Sequence, residues 1–368
     1  MPIVGHSPIS PSPRTEIRFD IPASGAANGP SSTYLIFFIP GNPGLIEYYH
    51  EYLERLYISL SSFTSPMENV SFELYGRSLR GFECGEESVK PDKMDDKTLE
   101  LPLGLQDQIS FVERTLSHTF HRLQHNSTKG ASNVNVILIG HSLGTYISLE
   151  IIRRVREEME TASLRIAGAI CLFPTVVDLA ASPKGKKLKH FLHLQSLPIL
   201  IPILCHLIKV IIILIPLRVL TLLIRLVLGF ANDAARTTSS FLKSKNGVHQ
   251  ALYMAVDELR QMNHDAWDSE IWGATHPSPH PHPRPKLFFY YGQKDDWIAD
   301  ETRDALIKLR GRNHRNGNDD DWRPIMVIDK NRIPHDFCVN KHYSLLIAEK
   351  SAEWVVEIVD TIESAKGP

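Results

Sequence analysis

The chain has little of what would place it in several large functional classes. Only four of its 368 residues are cysteine (Cys84, Cys171, Cys205 and Cys338), and no two form a C-x-x-C pair. That speaks against a structural zinc site or a disulfide framework and for reduced thiols in a cytosol-facing protein. Neither charge is in excess: 40 Lys and Arg against 42 Asp and Glu leave a formal net charge of -2, so there is no electrostatic case for a nucleic-acid partner. No internal repeat is evident. The opening MPIVGHSPISPSPRTEIRFD lacks a cationic start followed by an apolar run. It reads as a loose Ser/Pro-rich leader over 1–30 rather than a signal peptide. Hydrophobic residues make up 43%, enough for a sizeable core and too few for a polytopic membrane protein.

What is present is an alternation. Apolar runs at 34–39, 70–75, 134–139, 165–173, 287–291 and 325–328 read as buried strands. Helical spacing is found at 45–60, 103–123, 142–158 and 340–362. Strands that read as continuous apolar runs and alternate with helices predict an α/β fold, with a mainly parallel sheet covered on both faces, over 31–368. Three segments interrupt the pattern. His276–Pro285 (HPSPHPHPRP) has no second ligand cluster beside it and is read as a rigid connector, not a metal site. Gly311–Asp321 is read as a solvated loop. The third, Leu194–Phe230, is very apolar.

The stretch NVNVILIGHSLGTYISLE runs a strand into a helix through GHSLG. This is the G-x-S-x-G pattern in the context it requires, with the hydroxyl of Ser142 projecting from a sharp turn. Gly140 and Gly144 flank it because strand and helix must approach closely there. The backbone N–H of Leu143, at the helix N-terminus, is a candidate oxyanion donor. A second donor is sought in the Pro40–Gly44 loop (PGNPG) after the first strand. Asn42 is the best candidate, because Pro43 has no N–H. His141 stands too close in sequence to act on its neighbour's hydroxyl and is read as a packing or hydrogen-bonding residue.

A serine hydroxyl needs a base and a carboxylate that orients it. In this architecture the chain order is serine, acid, histidine. KLFFYYGQKDDW gives Asp295 after a strand and a turn glycine, with Asp296 as rival and Asp178 a distant third. DKNRIPHDFCVNKHYS places His335 in the loop after the last strand, while His342 falls where the final helix is under way. The set describes acyl transfer to water with no cofactor and no metal. A serine at the elbow argues against an epoxide hydrolase, which would carry a carboxylate there.

A helical insertion is expected over 180–262, with its greasy core at 194–230. A simple span is disfavoured. Pro198, Pro202 and Pro216 interrupt it, Lys209, Arg218 and Arg225 are scattered through it, and a single crossing would separate Ser142 from His335. Arg218, Thr221 and Arg225 fall along one side of a helix with Leu and Val elsewhere, the pattern of a helix lying in the plane of a lipid surface. Lys184, Lys186, Lys187 and Lys189 would meet anionic head groups.

Together, IPGNPG at Ile39–Gly44, GHSLG, YGQKDDW at Tyr291–Trp297, PHDF at Pro334–Phe337 and the apolar insertion resemble the lipid-droplet-associated hydrolases, an α/β-hydrolase branch. The resemblance implies the roles assigned to Ser142, Asp295 and His335. It also implies residence on lipid droplets and endoplasmic reticulum at the cytosolic face, and hydrolysis of neutral lipid esters, sterol esters or acylglycerols. Two other expectations stay open: a low-turnover droplet-organising protein that retains the fold, and a soluble peptidase or thioesterase.

Overall fold

In a computed structural model, residues 13–24, 32–63, 69–84, 100–126, 133–157, 164–193, 208–273, 284–312 and 323–365 are described. Seven strands form one sheet: β1 (Glu16–Ile21), β2 (Ser32–Ile39), β3 (Val70–Arg77), β4 (Asn133–His141), β5 (Arg165–Leu172), β6 (Lys286–Tyr291) and β7 (Ile325–Ile328). Their order is β1-β3-β2-β4-β5-β6-β7, with every pairing parallel except β1 against β3. The α/β reading of the sequence is thus met, and each strand expected from an apolar run is found within two residues of its reading.

Period two sorts the side chains. In β2, Leu35, Phe37 and Ile39 enter one core, and Tyr34, Ile36 and Phe38 the other. The first core is closed by α2 (Leu105–Asn126) and α3 (Leu143–Glu157), and Leu306 of α9 (Asp300–Arg310) joins it. The second is closed by α1 (His50–Phe63) and α10 (Lys341–Ser364), which pack side by side. Every residue of YLIFFI is at most 2% exposed. Each such side chain contributes roughly 1.5–3 kcal/mol on burial, which is why this run, apolar on both sides, fits only an interior strand.

The leader reading needs correction. Residues 16–21 of the expected loose 1–30 segment form β1. The alternation of Ile17, Phe19 and Ile21 lays Ile17 and Ile21 on the core. Glu16, Arg18 and Asp20 point to solvent on an edge strand, charges that discourage further pairing. The rest of that segment falls mostly outside the described residues, as do 194–207 of the greasy insertion, nearly all of the His/Pro connector, and 313–321 of the polar loop.

Between β5 and β6 run α4 (Pro183–His193), α5 (Ile208–Leu214), α6 (Leu217–Leu228), α7 (Asn232–Lys243) and α8 (Gly247–Gln261). Among the described residues no single helix is long and apolar enough to cross a membrane; α5 and α6 pass that test only as a pair bent by 114°. Leu220 and Ile224 turn inward onto Ala235 of α7. Thr221 also turns inward, its hydroxyl bonded to Leu217 O and Ser239 Oγ, so it does not share a water-facing side with Arg218 and Arg225. Outward stand Val219, Leu222, Leu223, Leu226 and Val227, from 44% to 78% exposed.

The chain leaves β2 for β3 on one side and returns to β4 on the other. The carboxyl ends of β2 and β4 therefore flank the point where strand order reverses, the crevice in which open α/β sheets bind ligands. Two glycines make the crevice possible. A Cβ on Gly140 would lie 2.4 Å from Gly144 O, and one on Gly144 would lie 2.1 Å from Ile39 O. Both obstacles are backbone, so neither can swing away. Gly144→Ala is expected to cost about 3 kcal/mol or more in urea unfolding. Gly229→Ala, at a left-handed helix cap with φ +69° and open space around it, is expected to cost only about 1 kcal/mol.

Candidate active site

Ser142 occupies the turn between β4 and α3 with φ 52°, a left-handed conformation that a residue with a side chain adopts only at a cost of about 1–2 kcal/mol. The surroundings over-determine it. Ser142 N donates to Leu172 O at 3.0 Å, and Thr145 N and Oγ1 both donate to Ser142 O. Leu143 is the first residue of α3, so its N–H belongs to the helix's unpaired first turn. A Cβ on Gly41 would lie 3.0 Å from Ser142 Cβ, which shows how closely the loop after β2 passes the serine. In that loop Gly41 N–H is spent on Tyr49 Oη at 3.1 Å. The side chain of Asn42 donates to Ala251 O at 3.0 Å and to Glu258 Oε1 at 2.9 Å, both on α8.

The loops after β6 and β7 meet. His335 Nδ1 lies 2.8 Å from Asp295 Oδ2, and Trp297 N donates to Asp295 Oδ1 at 2.8 Å. With Nδ1–H donating to the carboxylate, Nε2 of His335 keeps its lone pair. Burial by itself would raise the Asp295 carboxyl. The His335 imidazole, and then the Trp297 N–H, outweigh it and hold the group below its ordinary value. Asp296 is exposed, and its carbonyl accepts from Lys184 N. Asp178 caps a 3-10 turn in a left-handed conformation. His342 is exposed in the first turn of α10. The structure therefore brings Asp295 and His335 together and leaves the three alternatives apart from them.

His141 is 4% exposed and bonded through both ring nitrogens. A carbonyl only accepts, so Nε2–H donates to His335 O at 2.9 Å. Nδ1 then accepts from the Tyr49 hydroxyl at 2.8 Å. These bonds suit the neutral ring protonated at Nε2, and burial, followed by the neighbouring His335, pushes its pKa down to about 3.

Other supporting residues gave no sequence signal strong enough to single them out. Asp329, 2% exposed just after β7, accepts from Tyr290 Oη at 2.6 Å, Asn331 N at 3.0 Å and Ile333 N at 2.7 Å, which shapes the loop that carries His335. An Asp directly after a strand is a turn signal, and it was readable as that. Arg303 of α9 donates to Gly292 O and Gln293 O, bracing the loop that carries Asp295. Neither Tyr49 nor Glu258 lies in a motif.

A cavity of about 350 Å³ opens over this edge. Ser142, His141, His335 and Asn42 line it, together with apolar side chains from the 179–242 region such as Leu188, Leu228 and Phe241. Glu258 also lines it. With no cation against it among the described residues, burial pushes its carboxyl up to about 8; the Asn42 amide only moderates this. Among the described residues no group of three or more His, Cys, Asp or Glu side chains is arranged to hold a metal ion.

Glu258 has a consequence for stability. Between pH 5 and 7 the unfolded chain ionises this residue, ordinarily near 4.5, while the folded chain keeps it protonated. The unfolded state then binds fewer protons, so this group's contribution to stability falls as pH rises, until the folded carboxyl ionises near 8. Glu258→Gln lacks that loss. Relative to wild type it is expected to gain about 2 kcal/mol in urea unfolding between pH 5 and pH 7. A difference that stays constant over that interval would show an ordinary carboxyl.

A family model described as lipid-droplet associated hydrolase matches residues 32–338. Relatives include the lipid droplet-associated hydrolase of Gallus gallus, 29% identical over 275 residues that cover 74% of this chain and 73% of the relative. That of Dictyostelium discoideum is 26% identical over 339 residues, 88% of each chain. Among solved structures, the peroxisomal α/β-hydrolase Lpx1 of Saccharomyces cerevisiae superposes with a TM-score of 0.52 over 93% of this chain and 89% of that one, at 11% identity, a likeness of fold alone. The matched span takes in the Pro40–Gly44 loop, the elbow, Asp295 and His335 alike. This chain is a hydrolase of α/β-hydrolase fold and belongs to the lipid-droplet associated hydrolase family.

Proposed function

We propose that the protein is a serine ester hydrolase that acts on neutral lipid esters, the class of sterol esters and acylglycerols, at the surface of lipid droplets and the cytosolic face of the endoplasmic reticulum. Ser142 Oγ attacks the ester carbonyl as His335 Nε2 takes its proton. The oxyanion is held by the N–H groups of Leu143 and Asn42. The C–O bond to the alcohol breaks as Nε2 returns the proton to the leaving oxygen. Water then repeats the sequence on the acyl-enzyme. Asp295 keeps the imidazole in the tautomer that accepts at Nε2 and stabilises the imidazolium as it forms. No step calls for a metal or a cofactor. What supports this reading most is the 2.8 Å bond between His335 and Asp295 beside a cavity that Ser142 lines from a strained turn.

The outward face of α5 and α6 supports the surface role. Ile208, Ile211, Leu214, Leu222, Leu226 and Val227 are each at least 47% exposed. Contiguous apolar area of this kind marks an interaction site in a water-soluble composition. Relatives named lipid droplet-associated hydrolases make a droplet the surface of choice. On this reading, 180–262 is a docking insertion and also the roof of the site.

A fluorophosphonate probe tests the chemistry. Wild type is expected to label and Ser142→Ala to stay blank; absence of labelling in droplet-bound wild type would favour the low-turnover organiser. Asp295→Asn is expected to lower kcat by about 10³–10⁴, with Asp296→Asn within about threefold of wild type. Docking is tested by flotation with artificial droplets. The triple substitution Leu222→Glu, Leu226→Glu and Val227→Glu is expected to shift the bound-to-free ratio at least about tenfold toward water, and an unchanged ratio would assign docking to another surface.

A further inference from the structure

Glu258 does something the ester-hydrolase reading does not yet use. It sits on α8, 6% exposed, in the wall of the same cavity as Ser142. One carboxyl oxygen, Oε1, accepts from Asn42 Nδ2 at 2.9 Å. The second hydrogen of that amide goes to Ala251 O, so the Asn42 side chain has no donor left to give. Oε2 has no partner among the described residues, and no cation is paired with the carboxyl there. Two more lining residues carry unmet capacity: Asn42 Oδ1 and Thr175 Oγ1 are buried without a partner among the described residues.

We propose that Glu258 is a substrate-binding residue that takes a free hydroxyl on the alcohol part of the ester, so that the preferred substrates are partial esters of a polyol, mono- and diacylglycerols, rather than triacylglycerols or sterol esters. The chemistry of the two ends matches. A carboxylic acid held protonated by its burial offers an O–H donor and an acceptor, and a hydroxyl supplies the complementary pair. With Oε1 already accepting from Asn42, the proton belongs on Oε2, the oxygen without a protein partner. The position matches as well. Gly41 passes the serine, and the side chain of the next residue, Asn42, ends on Glu258, so a hydroxyl bound there lies on the part of the ester next to the scissile bond. A fully esterified glycerol or a sterol ester has only apolar groups and ester oxygens to bring to this wall. A site made to bond a hydroxyl rejects the analogue that lacks it far more strongly than an apolar pocket rejects an extra methylene. The inference rests on the ester-hydrolase reading and selects among its substrates.

The test compares two substrates that differ only in the hydroxyls: 1-monooleoylglycerol and its 2,3-di-O-methyl ether, presented in the same mixed micelles. Wild type is expected to favour the free diol by about 100-fold in kcat/KM. Glu258→Leu is expected to bring that ratio to within about threefold of unity, and Glu258→Gln, which keeps a donor and an acceptor, to retain most of it. Using a ratio removes any loss of folded enzyme, which affects both substrates alike. If wild type treats the two alike, as it would with a water satisfying the acid, the inference is overturned even where Glu258→Leu does not fold. It is overturned equally if Glu258→Leu slows both substrates and leaves the ratio intact, because Glu258 would then act only by positioning Asn42. A p-nitrophenyl ester separates the two levels. Ser142-dependent turnover of that ester without discrimination between the glycerols sinks the substrate assignment alone. Absence of Ser142-dependent turnover of any ester sinks the ester-hydrolase reading and the inference with it.

Discussion

One buried imidazole connects the loops at the carboxyl edge of the sheet. His141 ends β4, directly before the serine. From there it donates to the carbonyl of His335 and accepts from Tyr49, whose oxygen in turn accepts from Gly41 N–H. Three segments from distant parts of the chain, 40–44, 141–143 and 333–337, are therefore held in register by a single ring, its two bonds and the bond from Gly41 to Tyr49. In this arrangement the ring is neutral. A proton on Nδ1 would remove the lone pair that receives the tyrosine's hydrogen, and the hydroxyl would have to turn and accept from the ring instead. Phe173 and Phe337 pack edge-on against the ring, an apolar setting that opposes ionisation and accounts for the direction in which the pKa is pushed. The backbone that carries the His335 ring is thus set from beneath by His141, while the ring's rotation is set from the side by Asp295.

The second constraint is steric and precedes the first in the chain. Gly144 lets α3 come against the carbonyl of Ile39, and Gly140 lets it come against β4. A larger residue at either place would push the helix N-terminus away from the sheet edge. The Ser142 turn and the Leu143 N–H would move with it. The left-handed conformation at Ser142 is maintained by this packing and by bonds to Leu172 O and from Thr145, so the cost of the turn is met by the surrounding fold.

These two constraints explain what could be read from the sequence. The elbow was legible because its requirement is local: two glycines, a serine, a strand before and a helix after. The meeting of Asp295 and His335 was legible because chain order and strand position limit the choice, while the exposure that leaves Asp296 apart from His335 was not. His141 was legible as a hydrogen-bonding residue, but its partners were not, since Tyr49 lies 92 positions away and His335 194. Glu258 was invisible for the same reason, bonding across 216 positions and resembling any charged residue on an amphipathic helix. β1 was hidden by the prolines and serines before it, although Ile17 and Ile21 carry the two-residue period. In α6, spacing alone put Thr221 with the arginines. It turned inward because α7 offers Ser239 as a partner, and a tertiary contact of that kind leaves no periodic trace.

The surface between β5 and β6 connects the two halves of the proposed function. The outward face of α6 ends at Leu228, which is 55% exposed and also lines the cavity over Ser142; Phe230, just past the helix, lines the cavity too. The apolar exterior and the reaction site are therefore continuous at the end of one helix. On the proposed function, an ester leaving a lipid surface along this edge would keep its acyl chain out of water until its carbonyl reached the elbow, and its transfer would carry little penalty for exposing hydrocarbon. The cavity, at about 350 Å³, stands at the small end of ligand sites. It suits the reacting ester group and part of one chain, with the remainder left against the docking face. Selection would then have to come from the few polar atoms near the carbonyl rather than from the bulk of the lipid. A wall that sets a protonated acid among long apolar side chains would make that distinction, and α8 supplies the acid from the same insertion whose other helices would meet the lipid on the proposed function.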